Sequence, residues 1–128
     1  MRTKFRVSTK AAIYNALGEV LVIDMPQIQA YGLPGGHIDD GEQPDDAMVR
    51  ELWEECGLRE VELHHKDFFM HADGKIVLAY TGRVVLPELD SQQNNLEGIP
   101  RWLPRHVFKT VAIDPAYREF VLANWPAE

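Results

Sequence analysis

The stretch from Pro44 to Gly57 constrains this chain more than any other, because it reads as a helix with both ends marked. Proline suits a first helical turn, Asp45 and Asp46 favour the positive N-terminal end, and Gly57 supplies a stop. Wound at about 100° per residue, with Glu51 set at zero, Glu54 falls near roughly −60° and Glu55 near roughly +40°. Met48, Val49, Leu52, Trp53 and Cys56 occupy a separate arc, which predicts a face laid against a core. Three carboxylates therefore share the remaining surface within two turns, flanked by Arg50, four residues before Glu54.

The flanking segments supply something for that face to pack on. From Phe5 to Ile13 the apolar residues Phe5, Val7, Ala11 and Ile13 alternate with Lys4, Arg6 and Lys10, the period of a half-buried strand. Asn15-Ala16-Leu17-Gly18 carries turn chemistry, and Val20-Leu21-Val22-Ile23 reads as the returning strand. Met25 to Gly41 holds two prolines and four glycines, which predicts an irregular loop. Val61 to Ala72 and Lys75 to Val85 are expected to pair through a turn at Asp73-Gly74. After a polar stretch from Leu86 to Pro100, a short strand is expected around Arg101 to Leu103. A last helix is expected from an Asp114 cap and Pro115 to about Asn124. No βαβ rhythm connects these elements, so a mixed sheet packed between helices is the expected α/β architecture.

With 128 residues and 45% apolar content, one domain spanning 1–128 is expected, with a core that needs no staples. Cys56 is the only cysteine, which suits a reducing compartment. The basic start Met1-Arg2-Thr3-Lys4-Phe5 lacks the apolar stretch of a secretory signal, and no apolar run approaches the roughly 20 residues that cross a bilayer. A soluble, cytoplasmic protein without a membrane partner is the expectation. Thirteen Lys plus Arg against twenty Asp plus Glu leave a charge of −7, which disfavours long nucleic acid. A small anionic substrate stays compatible, because a bound cation inverts the local field. A homodimer is left open.

The carboxylate arc carries the chemistry. Three like charges that close repel one another, so in a metal-free site at least one tends to hold a proton. A divalent cation removes the conflict, and oxygen-only donors select hard ions such as Mg²⁺, with Mn²⁺ able to stand in. Magnesium commonly shares its coordination with substrate phosphates, where it neutralises charge and activates or positions water.

Five residues separate Gly36 from Glu42, seven separate Glu42 from Arg50, and then follows Arg50-Glu51-Leu52-Trp53-Glu54-Glu55-Cys56-Gly57-Leu58. This run resembles, at every fixed position, the signature of the Nudix hydrolase family. The resemblance implies an α/β/α sandwich with a mixed sheet, and hydrolysis of a nucleoside diphosphate linked to another moiety. It implies metal ligation by Glu51, Glu54, Glu55 and the Gly36 carbonyl, with Arg50 orienting the carboxylates. Gly35 shapes the turn, Gly57 ends the helix, and Glu42 supports the site from the loop. Glu97-Gly98-Ile99-Pro100-Arg101-Trp102 is similar to a loop of the mutator-type (MutT-like) members, which makes Glu97 a candidate further ligand. Glu97 and Glu51 compete for the role of general base.

Within that resemblance, Tyr31 is a candidate for lining a base pocket and His37 for touching phosphate. A counted alignment from Trp102 places Tyr117 where the mutator-type members hold a base-reading asparagine. Trp102 itself is expected in the core, as is the Cys56 thiol. His64 and His65 are adjacent on a strand, point to opposite faces and cannot readily chelate one ion. Marks of the ADP-ribose, dinucleoside polyphosphate and coenzyme A subfamilies are absent. A nucleoside triphosphate is the first-choice substrate. The rival reading is a catalytically silent module that binds nucleotides or a protein partner, although such modules typically lose signature residues and none is lost here.

Overall fold

In the computed structural model, which describes residues 5–85, 88–90 and 98–127, two long strands leave a common hairpin and then part. Strand β1 (Val7–Asn15) and β2 (Glu19–Met25) are joined by a turn in which Asn15 Oδ1 accepts from the N–H groups of Leu17 and Glu19, both at 3.0 Å. They are paired at Tyr14 and Val20, close to the turn. Beyond it the facing edges separate. β3 (Ala30–Gly32) pairs with β2, and β4 (Gly35–His37) pairs with β1 at Ser8, Thr9 and Lys10. The segment expected to be irregular thus contains a 3₁₀ turn at Pro26–Ile28 and two three-residue strands that fill this fork. Strands so short display no periodicity to read.

After helix α1 (Pro44–Cys56), β5 (Glu62–Met70) and β6 (Ile76–Val84) form the expected hairpin. β6 lies parallel to β1 along its whole length, from Val7 opposite Ile76 to Asn15 opposite Val84. β7 (Ile99–Pro104) covers the outer edge of β2, longer than the strand expected around Arg101. A short helix α2 (Arg105–Phe108), not anticipated, leads to α3 (Pro115–Ala123). Asp114 caps α3 as expected, accepting from the Ala116 N–H at 2.8 Å. Seven strands are described, and their mixed sheet has helices on both faces, the architecture expected. No helix among the described residues is long and apolar enough to cross a membrane.

Each face of the sheet has its own core. Ala11, Ile13 and Leu21 meet Met48, Leu52 and Cys56 of α1. Ala12, Tyr14 and Val22 meet Phe108, Phe120 and Val121 beneath α3. β1 is therefore buried on both faces from Ala11 to Asn15 rather than half-buried, because it lies centrally between helices. The apolar arc of α1 is also narrower than the wheel suggests. Ala47 joins Met48, Leu52 and Cys56 in the core, whereas Val49 is half exposed and Trp53 lies at the margin, with the Arg59 guanidinium 3.8 Å from its ring centre. Trp102 packs against the α1-side core.

Candidate active site

Helix α1 is stopped and positioned by its glycine. Gly57 adopts φ 72°, its N–H donates to the Trp53 carbonyl at 2.9 Å, and that of Leu58 donates back to Leu52 at 3.2 Å. This is the glycine-terminated helix end that other residues adopt at a steric cost. A side chain there would also collide with the Asp90 carbonyl, whose own N–H donates to Cys56 at 2.8 Å. At the other end Gln43 offers no side-chain cap, but the Tyr80 hydroxyl donates to Asp45 Oδ1 at 2.6 Å and ties the first turn to β6.

The outer arc of α1 faces β4. Gly35 takes φ 138°, and a side chain there would run into the Thr9 carbonyl of β1, so the glycine allows β4 to lie this close. A Cβ on Gly36 would sit 2.8 Å from Glu51 Oε1. The Gly36 carbonyl accepts from Thr9 Oγ1 at 3.4 Å, and the Gly35 N–H donates to Glu55 Oε1 at 2.7 Å. Glycine turn and carboxylates are thus in direct contact.

Arg50 organises what surrounds them. Its Nε and Nη2 donate to the two oxygens of Glu42 at 2.9 and 3.1 Å. Nη2 also donates to the His37 carbonyl at 3.2 Å, and Nη1 donates to both Glu51 Oε1 and Glu54 Oε2 at 3.1 Å. One planar guanidinium therefore joins loop, β4 and helix, which a lysine could not do with a single ammonium. Arg50 holds Glu42 below the usual carboxylate range through that hydrogen bond, and Glu42 in turn raises Arg50 further above its ordinary value. Glu42 is thus linked to the carboxylates of α1 through Arg50.

Burial pushes Glu55 up to about 8, against the lowering effect of its bond from Gly35. Neighbouring Glu51 raises it further and Lys10 opposes the rise. The rise thus comes chiefly from burial, and repulsion from Glu51 is the smaller contribution. Among the described residues no three acidic, His or Cys side chains converge enough to enclose a cation by themselves. Glu51 and Glu54 lean on Arg50, and Glu55 leans on Gly35.

The strand period puts Lys10 on the face opposite the apolar one, and here the structure differs. Its Nζ donates to the carbonyls of Leu33 at 3.2 Å and Gly35 at 3.4 Å, so it supports the glycine turn from beneath. Burial lowers its affinity for a proton and Glu55 partly restores it. The signal was the unbroken run Ala11-Ala12-Ile13-Tyr14 that follows, the mark of a strand covered on both faces.

The remaining candidates are dispersed. His37, the last residue of β4, is exposed with Nδ1 3.2 Å from Ser8 Oγ. Tyr31 on β3 and Tyr117 on α3 belong to the core on the α3 side of the sheet, not to the carboxylate side. Tyr117 is 7% exposed and its ring centre lies 6.1 Å from Phe69 and 5.9 Å from His71. Glu97 lies outside the described residues. His64 and His65 take separate partners as expected, Glu62 at 3.4 Å and the Tyr80 ring at 5.4 Å. The Cys56 thiol is buried, which raises it far above its ordinary value.

A family profile described as "NUDIX domain" matches residues 4–123. An RNA pyrophosphohydrolase of a Psychrobacter strain is 44% identical over 61 residues, a stretch covering 46% of this chain and 35% of the relative. The match thus spans about a third of that relative's length. A hydrolase of the NUDIX family from Clostridium perfringens superposes with TM-score 0.81 at 18% identity, covering 94% of this chain and 96% of that one. The NUDIX domain of Shewanella oneidensis NrtR, solved in complex with ADP ribose, gives 0.82 at 16% identity, covering 94% and 86%.

Proposed function

Since this chain belongs to the NUDIX family, its profile matching nearly the whole sequence, we propose that it is a divalent-metal-dependent pyrophosphohydrolase whose first-choice substrate is a nucleoside triphosphate. The observation that carries this reading is the contact between the glycine turn and the acidic arc of α1. There Arg50 holds Glu51 and Glu54 while Glu55 is pushed towards its protonated form.

The donors fit a hard cation. Glu51, Glu54, Glu55 and the Gly36 carbonyl offer oxygen alone, and the missing side chain at Gly36 leaves room over Glu51. Mg²⁺, or Mn²⁺ in its place, supplies charge neutralisation on the phosphates and a more acidic water. The protein's own part is to fix the donors. Arg50 keeps Glu51 and Glu54 aligned, Glu42 keeps Arg50 aligned, and Lys10 with Thr9 keeps the glycine turn seated. Glu51, at the turn, and Glu97 remain the two candidates for accepting the proton of the attacking water.

A second substrate reading has its own support, the 44% identity to a relative named RNA pyrophosphohydrolase. The triphosphate end of a short RNA presents the same anhydride as a free nucleotide. The excess of acidic residues favours the smaller ligand, because long RNA needs many cationic contacts.

The deciding assay is release of phosphate or pyrophosphate by purified protein with Mg²⁺. Nucleoside triphosphates, triphosphate-ended oligonucleotides, dinucleotides and ADP-ribose are compared, with Glu54→Gln alongside. Turnover fastest on free triphosphates and absent from the variant is expected. Binding without turnover across the panel would instead assign the fold to a silent nucleotide-binding module.

A further inference from the structure

A sizeable cleft of the described structure lies away from the carboxylates. It occupies about 1150 Å³ at the opposite end of β1, between the Asn15–Gly18 turn, the end of β6, α2 and the C-terminal residues after α3. From Thr9, the residue opposite Gly36, to Asn15 on the cleft rim, β1 advances about 20 Å at roughly 3.3 Å per residue.

Its charge runs against the rest of the molecule. Arg83, Arg105, His106 and Lys109 line it, and among the described residues no Asp or Glu does, in a protein of net charge −7. Two arginines elsewhere are matched to acids, Arg50 to Glu42 at 2.9 Å and Arg101 to Asp24 at 2.7 Å. Among the described residues, none of Arg83, Arg105 and Lys109 has a side-chain ion pair or hydrogen bond, and all three are exposed. Their carrying segments are nonetheless fixed. The Arg118 guanidinium donates to the carbonyls of Phe108, Lys109 and Val111, pinning the turn that bears Lys109. Trp125 completes the wall, its ring held edge-on by Tyr14 at 5.3 Å and tilted against Phe108 at 6.0 Å.

Unpaired cations beside a supported aromatic ring suit a ligand with an anionic group and a planar apolar part. We propose that this cleft is a second anion site that takes a mononucleotide-sized ligand, with its phosphate among Arg83, Arg105 and Lys109 and its base against Trp125. The site is separate from the hydrolytic centre and needs no divalent cation, since its own side chains supply the positive charge.

The test is calorimetric titration of the full chain in excess EDTA with AMP, adenosine and inorganic phosphate, so that no turnover intervenes. AMP is expected to bind, with adenosine and phosphate each about tenfold weaker or more. Reversing two charges, Arg105→Glu with Lys109→Glu, is expected to weaken AMP by at least about tenfold. The exchange Arg105→Lys with Lys109→Arg keeps the charge and is expected to retain binding. Trp125→Leu should weaken AMP while leaving phosphate unchanged, and Glu54→Gln should bind AMP as the parent does. No AMP binding in EDTA, or undiminished binding by the charge-reversed protein, overturns the proposal. Neither result bears on the hydrolytic reading, which is measured with Mg²⁺ by turnover.

Discussion

The two faces of the sheet are covered by helices that are held in different ways. α3 is capped by its own Asp114, braced by Arg118, and sealed by Tyr117, Phe120 and Val121 against Tyr14 and its neighbours. α1 has no side-chain cap, buries only Ala47, Met48, Leu52 and Cys56, and spends its outer arc on an ionic network through Arg50. One face is built for packing, while the other keeps charges in register at some expense in electrostatic repulsion. Chemistry and stability should therefore separate by face, and substitutions can test that separation.

The largest effect is expected from Glu54→Gln. Glutamine keeps an oxygen for Arg50 Nη1 but removes a negative charge from the proposed cation site. Loss of roughly a thousandfold in kcat is expected, about 4 kcal/mol of barrier, with an unfolding midpoint close to the parent's in EDTA. Retained turnover would remove Glu54 from the site, and an unfolded variant would make it structural.

Tyr117→Ala is the mirror experiment on the α3 face. Truncating a buried aromatic is expected to cost about 3 kcal/mol or more of stability, read by denaturant unfolding, while kcat of the folded fraction persists. A raised KM with unchanged kcat and little loss of stability would instead give Tyr117 the base-binding role that its alignment suggested.

The next test uses pH. Glu55 is raised to about 8 in the folded protein from an ordinary 4.5, so between those values the folded state holds more protons than the unfolded chain. Stability of the metal-free protein should therefore fall as pH rises through that window. Added Mg²⁺ must displace the same proton, so its stabilising effect should grow over the same range. Thermal melts between about pH 5 and pH 8, in EDTA and in Mg²⁺, read both slopes. Glu55→Gln should flatten the metal-free slope relative to the parent, and an unchanged slope would assign it to other groups. The smallest effect is expected from Asp114→Ala, about 1 kcal/mol from the lost cap of α3, with turnover unaffected.

The sequence made some of this contrast legible and hid the rest. α1 was readable because Pro44, Gly57 and the carboxylate spacing are local signals, and the Asp73-Gly74 hairpin and the Asp114 cap were readable for the same reason. What escaped depends on contacts distant in the chain. β3 and β4 exist because β1 and β2 diverge, and no three-residue strand announces that. Val49 is half exposed although it falls on the apolar arc; a helical wheel does not contain what lies opposite the helix. Lys10 joins the site because a parallel neighbour and a second helix bury its strand. In the site itself, the residues and their shared arc were legible, but the partition of Glu51 and Glu54 to Arg50 and Glu55 to Gly35 was not.

The parallel pairing of β1 with β6 has a consequence for how the molecule is made. Val7 and Ile76 must meet across more than half of the chain's length, so one edge of the central strand is covered only after a long loop closes. Parallel pairing of this kind raises contact order and slows folding. During synthesis the hairpin, the glycine turn and the acidic helix emerge from the ribosome before β6 does. Until it arrives, one edge of an apolar strand stands unpaired. The acidic ridge on α1 and the overall negative charge are then the chain's protection against association with its own copies, through mutual repulsion.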